Sequence, residues 1–347
     1  MHARRALRYG ARMKVYELHA NDGLDSVTLA DRAEPGPLGP RDVRVAVRAV
    51  SLNFRDLSIA KLAKKRGKTV VPASDGAGEV VEIGADVKRV KVGDKVAAAF
   101  FPSWLAGPFV ESYHGGALGG STDGMLAEQV VLPETAWVHI PKGYSFEQAA
   151  TLPCAGVTAW NALYEAAALR PGNTIIVQGS GGVSIFSLQL ARATGARVVA
   201  TSSSADKRAR LESMGAATTI DYRETPAWGE AARAATGGRG VDIAVEVGGA
   251  GTFDQSVKAL RYGGTMSILG VLAGLQGPIE TYPIFHKNIR VHGVYVGSVA
   301  MFEDLVRALE TTKLEPVIDR VFGFAEARAA YDHLASGKHF GKVVIRF

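Results

Sequence analysis

The chain has 347 residues, of which 47% are hydrophobic and 21% charged, and a formal net charge of +6. This length allows two domains with ordinary cores, the composition is that of a soluble globular protein, and the lack of an uninterrupted apolar run of about 18 residues argues against a membrane span. Arg4, Arg5, Arg8 and Arg12 fall within an acid-free first dozen residues and leave only +2 on the rest, where no basic stripe with interleaved aromatics supports nucleic-acid binding.

In chain order, residues 1–12 read as a flexible extension before MKVYEL. Their arginines also suit a targeting arm, but they hold no apolar stretch for a secretory signal. From Met13 to about Ala136, short β segments alternate with turns: MKVYEL, VTLADR, DVRVAVRAVSL, GAGEVVEIG and DKVAAAF. The alternation from Val43 to Val50 predicts a half-buried strand. Near Tyr144 the texture changes. SFEQAATLPCAGVTAWNALYEAAAL has helical spacing, and Ser145 with Gln148 forms a capping-box pattern. Strands and helices then alternate through TIIVQ, SLQLARAT, RVVATS, ADKRARLESMG, TTIDY, GVDIAVEVGG, FDQSVKALRYG, TMSILGV and IRVHGVYVGS. Near-continuous apolar strands alternating with helices predict a parallel sheet covered on both faces. Two helices, MFEDLVRALETTK and FAEARAAYDHLASG, precede the last strand, KVVIRF. The single cysteine, Cys154, permits no intrachain disulfide, which fits a reducing cytoplasm.

The turn Gly179-Ser180-Gly181-Gly182-Val183-Ser184 follows an apolar strand and opens a helix, the setting in which a glycine pattern signals dinucleotide binding. Gly179 allows the sharp exit from the strand. Gly181 lets backbone approach a pyrophosphate, and the helix start offers free N–H groups and a positive dipole end. Ser184 stands where the third glycine is usual. A small residue suffices there, and its hydroxyl can bond back to the helix backbone.

The second strand bears on which dinucleotide is held. An NAD-binding chain carries Asp or Glu there for the ribose 2′-hydroxyl, whereas this chain has Ser202, Ser203 and Ser204. A carboxylate would repel a 2′-phosphate; these hydroxyls would not. With Lys207, Tyr222 and Arg223 they form a candidate phosphate pocket, so NADP(H) is the expected cofactor. The plain alternative is that Lys207 and Arg223 are solvated surface charges.

SLNFRD, SDGAGEVVEIGADVKRVKVGDKV, LPCAGVTAWNAL, the GSGGV turn and HFGKVVI, in this order, resemble the medium-chain dehydrogenase/reductase superfamily from Met13 to Phe347. The resemblance implies an α/β fold: a GroES-like β-rich catalytic domain over 13–140 and 300–347, and a Rossmann doubly wound parallel-sheet domain over 141–299. It also implies a homodimer or homotetramer acting on a small molecule. By the same resemblance, Asn53 and Phe54 face the nicotinamide end of the coenzyme, and Thr158 lies near the carboxamide or ribose. Backbone at Gly270 to Leu272 and at Tyr295 and Val296 fixes the ring, Val247 and Gly248 also contact the coenzyme, and Lys342 approaches the pyrophosphate.

Many members of that superfamily bind catalytic zinc through a Cys, a His and a third residue. Here those positions hold Asn53, Ser74 and Cys154, and the four cysteines of a structural-zinc lobe are absent from residues 100–120. One thiol cannot supply the three protein ligands a catalytic zinc needs, so no metal is expected. Cys154 reads as a small buried hydrophobe, or else as a reactive thiol. Without a Lewis acid the easier direction is reduction of an acceptor that spreads charge. SLNFRD is similar to the quinone-oxidoreductase branch, which implies hydride transfer from NADPH to a quinone or α,β-unsaturated carbonyl. Asn53 would donate to the carbonyl oxygen, or simply cap a turn. Asp75 would orient a donor or serve a structural turn. Tyr113, His114 or solvent would deliver the proton. The alternatives are a metal-free alcohol or aldehyde dehydrogenase and a non-catalytic NADPH-binding protein. Substrate identity lies in the loops 60–71 and 100–124, which pattern alone does not resolve.

Overall fold

A computed structural model describes residues 12–20 and 23–347. The extension expected over residues 1–12 lies outside them up to residue 11, and Arg12 already belongs to a strand. Among the described residues seven strands come first: β1 (Arg12–Leu18), β2 (Val27–Ala33), β3 (Asp42–Leu52), β4 (Asp75–Ile83), β5 (Lys95–Ala98), β6 (Gln129–Pro133) and β7 (Trp137–His139). Six more follow: β8 (Thr174–Gln178), β9 (Arg197–Thr201), β10 (Thr218–Ile220), β11 (Val241–Glu246), β12 (Leu260–Ile268) and β13 (Arg290–Gly293). The last two are β14 (Ile318–Gly323) and β15 (Lys342–Arg346).

The chain forms two compact units. One runs to Pro153 and adds Arg320–Gly337 and Val343–Phe347; the other comprises Cys154–Asp319 and Lys338–Lys342. These divisions differ from the expected 140/141 and 299/300. The helix Val299–Thr312 belongs to the second unit, because it buries Phe302, Leu305 and Leu309 and packs on the helix Val157–Trp160.

In the first unit β1 and β2 form an antiparallel pair. A seven-stranded sheet has the order β14-β15-β3-β4-β5-β7, with β6 also on β3. β3 therefore has partners on both sides, and its burial is nearly continuous rather than alternating. This corrects the half-buried expectation. Even Arg44 is buried, its guanidinium satisfied by Glu82 Oε2 at 2.8 Å and by the carbonyls of Pro35 at 2.9 Å and Gly36 at 2.8 Å. The unit's core joins Val45, Val80, Trp137, Tyr331 and Ile345.

The second unit is a six-stranded sheet, order β10-β9-β8-β11-β12-β13, with every adjacent pair parallel. The glycine turn leaves β8, with β9 and β10 on one side and β11 to β13 on the other. Strand order reverses on either side of β8, the switch point at which such sheets bind ligands beyond their carboxyl ends. β8 and β11 are buried throughout, as a sheet covered on both faces requires. Among the described residues no helix is long and apolar enough to cross a membrane.

Candidate coenzyme and substrate site

Gly179 leaves β8 with φ +71°, a left-handed conformation that a Cβ disfavours. Gly181 is the N-cap of the helix Gly182–Ala193. A Cβ added at Gly179 or Gly181 meets nothing within 4 Å, so this face of the turn is open to a phosphate. At Gly182 it would lie 2.6 Å from Lys342 Cδ and 3.1 Å from Ala155 Cβ, so the absence of a side chain there lets Lys342 and Ala155 pack closely on the turn. Lys342 is buried against the turn, and Gly341 N–H donates to Ser180 O at 2.9 Å. Ser184 Oγ donates to Gln178 O at 2.6 Å. The expected bond to the helix's own backbone is thus replaced by one that ties helix to strand, which explains why a serine is tolerated there. Gly179, Ser180, Gly181, Gly182, Val183 and Lys342 are brought together, and this open, amide-lined turn fits a pyrophosphate.

Beyond β9, Ser202 is buried and its N–H donates to Ile220 O at 3.0 Å. Ser203 follows, and Ser204 caps the helix Ala205–Ser213. Lys207 Nζ donates to His339 O at 2.8 Å. Burial lowers its pKa, with Asp319 opposing and Arg210 adding to the effect. Lys207 is therefore not the solvated surface cation of the plain alternative. Tyr222 is 40% exposed just past β10. The sequence reading missed Arg208 and Asp221, which pair here, Arg208 also donating to Ser202 O at 3.0 Å. Burial opposes ionisation of Asp221, yet donation from Arg223 and Glu224 N–H and from Arg208 outweighs it and holds the pKa low. An acid does stand beside Ser202, but with an arginine on it.

On the other side of β8, Val247, Gly248, Gly270 and Leu272 meet. Leu272 N–H donates to Val247 O at 3.1 Å and Ala273 N–H to Gly248 O at 2.7 Å. A Cβ on Gly270 would lie 2.3 Å from Val247 O. Beneath them sits a network that sequence reasoning also missed. Glu246 is fully buried, and its Oε1 accepts from Gly248 N–H at 2.7 Å, Gly249 N–H at 2.9 Å and Thr252 Oγ1 at 2.5 Å. Its Oε2 accepts from Gln178 Nε2 at 2.7 Å and from Ser256 Oγ. Gln178 Oε1 in turn accepts from Val247 and Gly248 N–H, each at 3.2 Å. An acid closing the apolar run VDIAVE was the available signal. Thr158 is buried on the short helix Val157–Trp160, next to the segment that follows β13: Gly297 has no room for a Cβ against Val157 Cγ1, at 2.6 Å. In that segment Tyr295 is 42% exposed and Val296 is buried.

In the first unit Asn53 is the N-cap of the helix Phe54–Lys61, and its N–H donates to Asp56 Oδ2 at 2.7 Å. The capping role is therefore present. Phe54 is 47% exposed. Arg55 lies over the Phe100 ring at 4.5 Å and donates to Leu118 O at 3.0 Å, joining this helix to the 100–124 loop. In that loop Tyr113 stacks on Trp104 with centroids 6.2 Å apart, and His114 meets Phe109 edge-on. Both sit on an aromatic cluster, Tyr113 partly buried and His114 exposed. Asp75 accepts from Ser74 Oγ at 2.7 Å, both residues fully buried, a structural pairing.

Among the described residues no group of three or more His, Cys, Asp and Glu is arranged to hold a metal. Asn53 and Ser74 offer neutral oxygen and amide groups where zinc takes thiolate or imidazole, so this donor set does not fit zinc. Cys154 is only partly buried, a correction to the buried-hydrophobe expectation. It lies in a π-helical turn, Leu152–Gly156, that interrupts the predicted continuous helix.

Comparison with known proteins agrees with both halves. The model of the alcohol dehydrogenase GroES-like domain matches residues 39–142, and that of the zinc-binding dehydrogenases matches residues 182–311. The chain is 41% identical to a zinc-type alcohol dehydrogenase-like protein of Schizosaccharomyces pombe, covering 93% of this chain and 96% of that one. It is 31% identical to a quinone oxidoreductase of Pseudomonas aeruginosa, over 90% and 93%. A crystal structure of an NAD-dependent alcohol dehydrogenase superposes with a TM-score of 0.87 at 32% identity, over 96% and 100%. The chain belongs to the medium-chain dehydrogenase/reductase superfamily and is an oxidoreductase of that group.

Proposed function

We propose that the protein is a zinc-independent reductase that passes hydride from NADPH to a quinone or an α,β-unsaturated carbonyl compound. The observation that carries this reading is the open Gly179–Gly182 turn, flanked after β9 by serines in place of a carboxylate. Reduced coenzyme held there supplies the hydride. Amide groups of Gly181, Gly182 and Val183 hold its phosphates, favoured by the positive end of the helix dipole. Ser202, Ser203, Lys207 and Tyr222 receive the 2′-phosphate. The interlocked Val247–Gly248 and Gly270–Leu272 segments keep the ring oriented. The Asn53 amide donates to the acceptor oxygen as charge builds there. Tyr113, His114 or water returns the proton, so the acceptor gains one hydride and one proton.

The acceptor is a small molecule. A homodimer is supported by β13, a sheet edge whose four residues are all exposed, with Tyr262, Tyr282 and Phe285 exposed on neighbouring segments. A second reading, metal-free alcohol oxidation with NAD, is favoured by the 32%-identical NAD-dependent structure. Steady-state assays with NADPH and NADH against quinones, enones and, in reverse, primary alcohols separate the two. Quinone or enone turnover with NADPH, unaffected by chelators, is expected. Dominant alcohol oxidation with NAD, or stoichiometric zinc, would overturn the proposal. Tight NADPH binding without turnover of any acceptor would point to a sensor instead.

A further inference from the structure

Val296 has φ +58°, a left-handed conformation in which a β-branched residue is a true outlier. Such a conformation persists only where its surroundings over-determine it, and such residues cluster at functional sites. Here the surroundings are specific. Asn161 Nδ2 donates to Val296 O at 2.8 Å, with both residues buried. Upstream, Val294 N–H is fixed on Ile268 O at 2.8 Å. Downstream, Val157 and Met301 fill the space a Cβ on Gly297 would need, and Ser298 caps the next helix.

Asn161 itself keeps α-helical dihedrals, φ −57° and ψ −46°, but stands where the helix changes hydrogen-bond register. It begins a π-helical turn, Asn161–Glu165, in which Ala166 N–H reaches back to Asn161 O at 2.8 Å. Ser267 Oγ, on β12, donates to Ala162 O at 2.8 Å and anchors the turn to the sheet. Single π turns inside helices are frequent at functional sites.

The sheet order indicates what this strained peptide serves. The glycine turn leaves the central β8; Ser202, Lys207 and Tyr222 follow β9 and β10 on one side, and Val296 follows β13 on the other. A dinucleotide whose pyrophosphate rests on the central turn places its adenosine half on the first side and its nicotinamide half on the second. We propose that Asn161 is a positioning residue: its buried amide holds the Val296 peptide in the left-handed conformation and so fixes the ledge that receives the nicotinamide half of the coenzyme, without touching the coenzyme itself. This rests on the coenzyme reading above.

The test compares NADPH with 2′-phosphoadenosine diphosphoribose, the same molecule without the nicotinamide ring, on wild type, Asn161→Ala and the near-isosteric Asn161→Leu. Binding is read by calorimetry, and folding by circular dichroism. Loss of one buried hydrogen bond should weaken NADPH binding about tenfold in the variants while the ringless fragment stays within about twofold of wild type. Because Leu keeps the volume, it carries the test if Ala does not fold. An equal loss for both ligands, or no loss for either, overturns the assignment of Asn161 while leaving the coenzyme reading in place. Failure of wild type to bind either ligand overturns both.

Discussion

Replacing Glu246 tests whether the floor beneath the Val247–Gly248 segment is set by one buried carboxylate. Five donors converge on it: two backbone N–H groups, two hydroxyls and the Gln178 amide. In Glu246→Ala the hydroxyls can rotate, and Gly248 N–H keeps Gln178 Oε1 as a partner. Gly249 N–H loses its acceptor and the vacated volume adds a cavity, so the cost is roughly 3–5 kcal/mol. Glu246→Gln is the sharper probe. Its NH2 must face either the two glycine N–H groups or Gln178 Nε2, a donor–donor contact in both cases. Turning Gln178 to accept would sacrifice its bonds from Val247 and Gly248. The expected loss is about 1–3 kcal/mol, read as the shift in free energy of urea unfolding, with NADPH affinity falling alongside. If Glu246→Gln unfolds within about 0.5 kcal/mol of wild type, the proposed role of the carboxylate is refuted.

Two further outcomes follow from charged side chains. Lys207→Ala should weaken NADPH binding at least several-fold and leave NADH binding nearly unchanged, as measured by titration; an equal fall in both, or in neither, would remove Lys207 from the 2′-phosphate pocket. Lys287 donates to Val257 O at 2.7 Å, and burial, with a contribution from Arg233, lowers its pKa to about 8. The unfolded chain holds this proton up to the ordinary value of 10.5. Between those two values it binds more protons than the folded chain, and stability contributed by this group rises with pH. Lys287→Met should flatten that rise in urea-unfolding measurements across the same window, and an unchanged slope would contradict the assignment.

The parallel sheet was legible because its strands are nearly continuous apolar runs, a pattern that only double-sided burial requires. The Ser145–Gln148 capping box was legible because both partners lie within one turn. The three-residue strand β7 carried too few residues to show a period, and β6 and β14 are mostly half-buried or exposed with no clean alternation to read. The π turns at Leu152–Gly156 and Asn161–Glu165 differ from an α-helix by one residue of register, which apolar spacing does not resolve. The least legible parts of the site are its long-range polar pairs. Gln178 and Glu246 are 68 residues apart and Asn161 and Val296 are 135 apart, and no local pattern links either pair.

The most direct measurement of the central claim is coenzyme binding by Gly181→Ala, followed beside its thermal stability. Gly181 has φ −75°, open to any residue, and an added methyl meets nothing within 4 Å. The variant should therefore unfold at the temperature of wild type while NADPH affinity drops about tenfold or more, because the methyl occupies space meant for a phosphate. Unchanged affinity in a folded variant would mean that no phosphate rests on this turn.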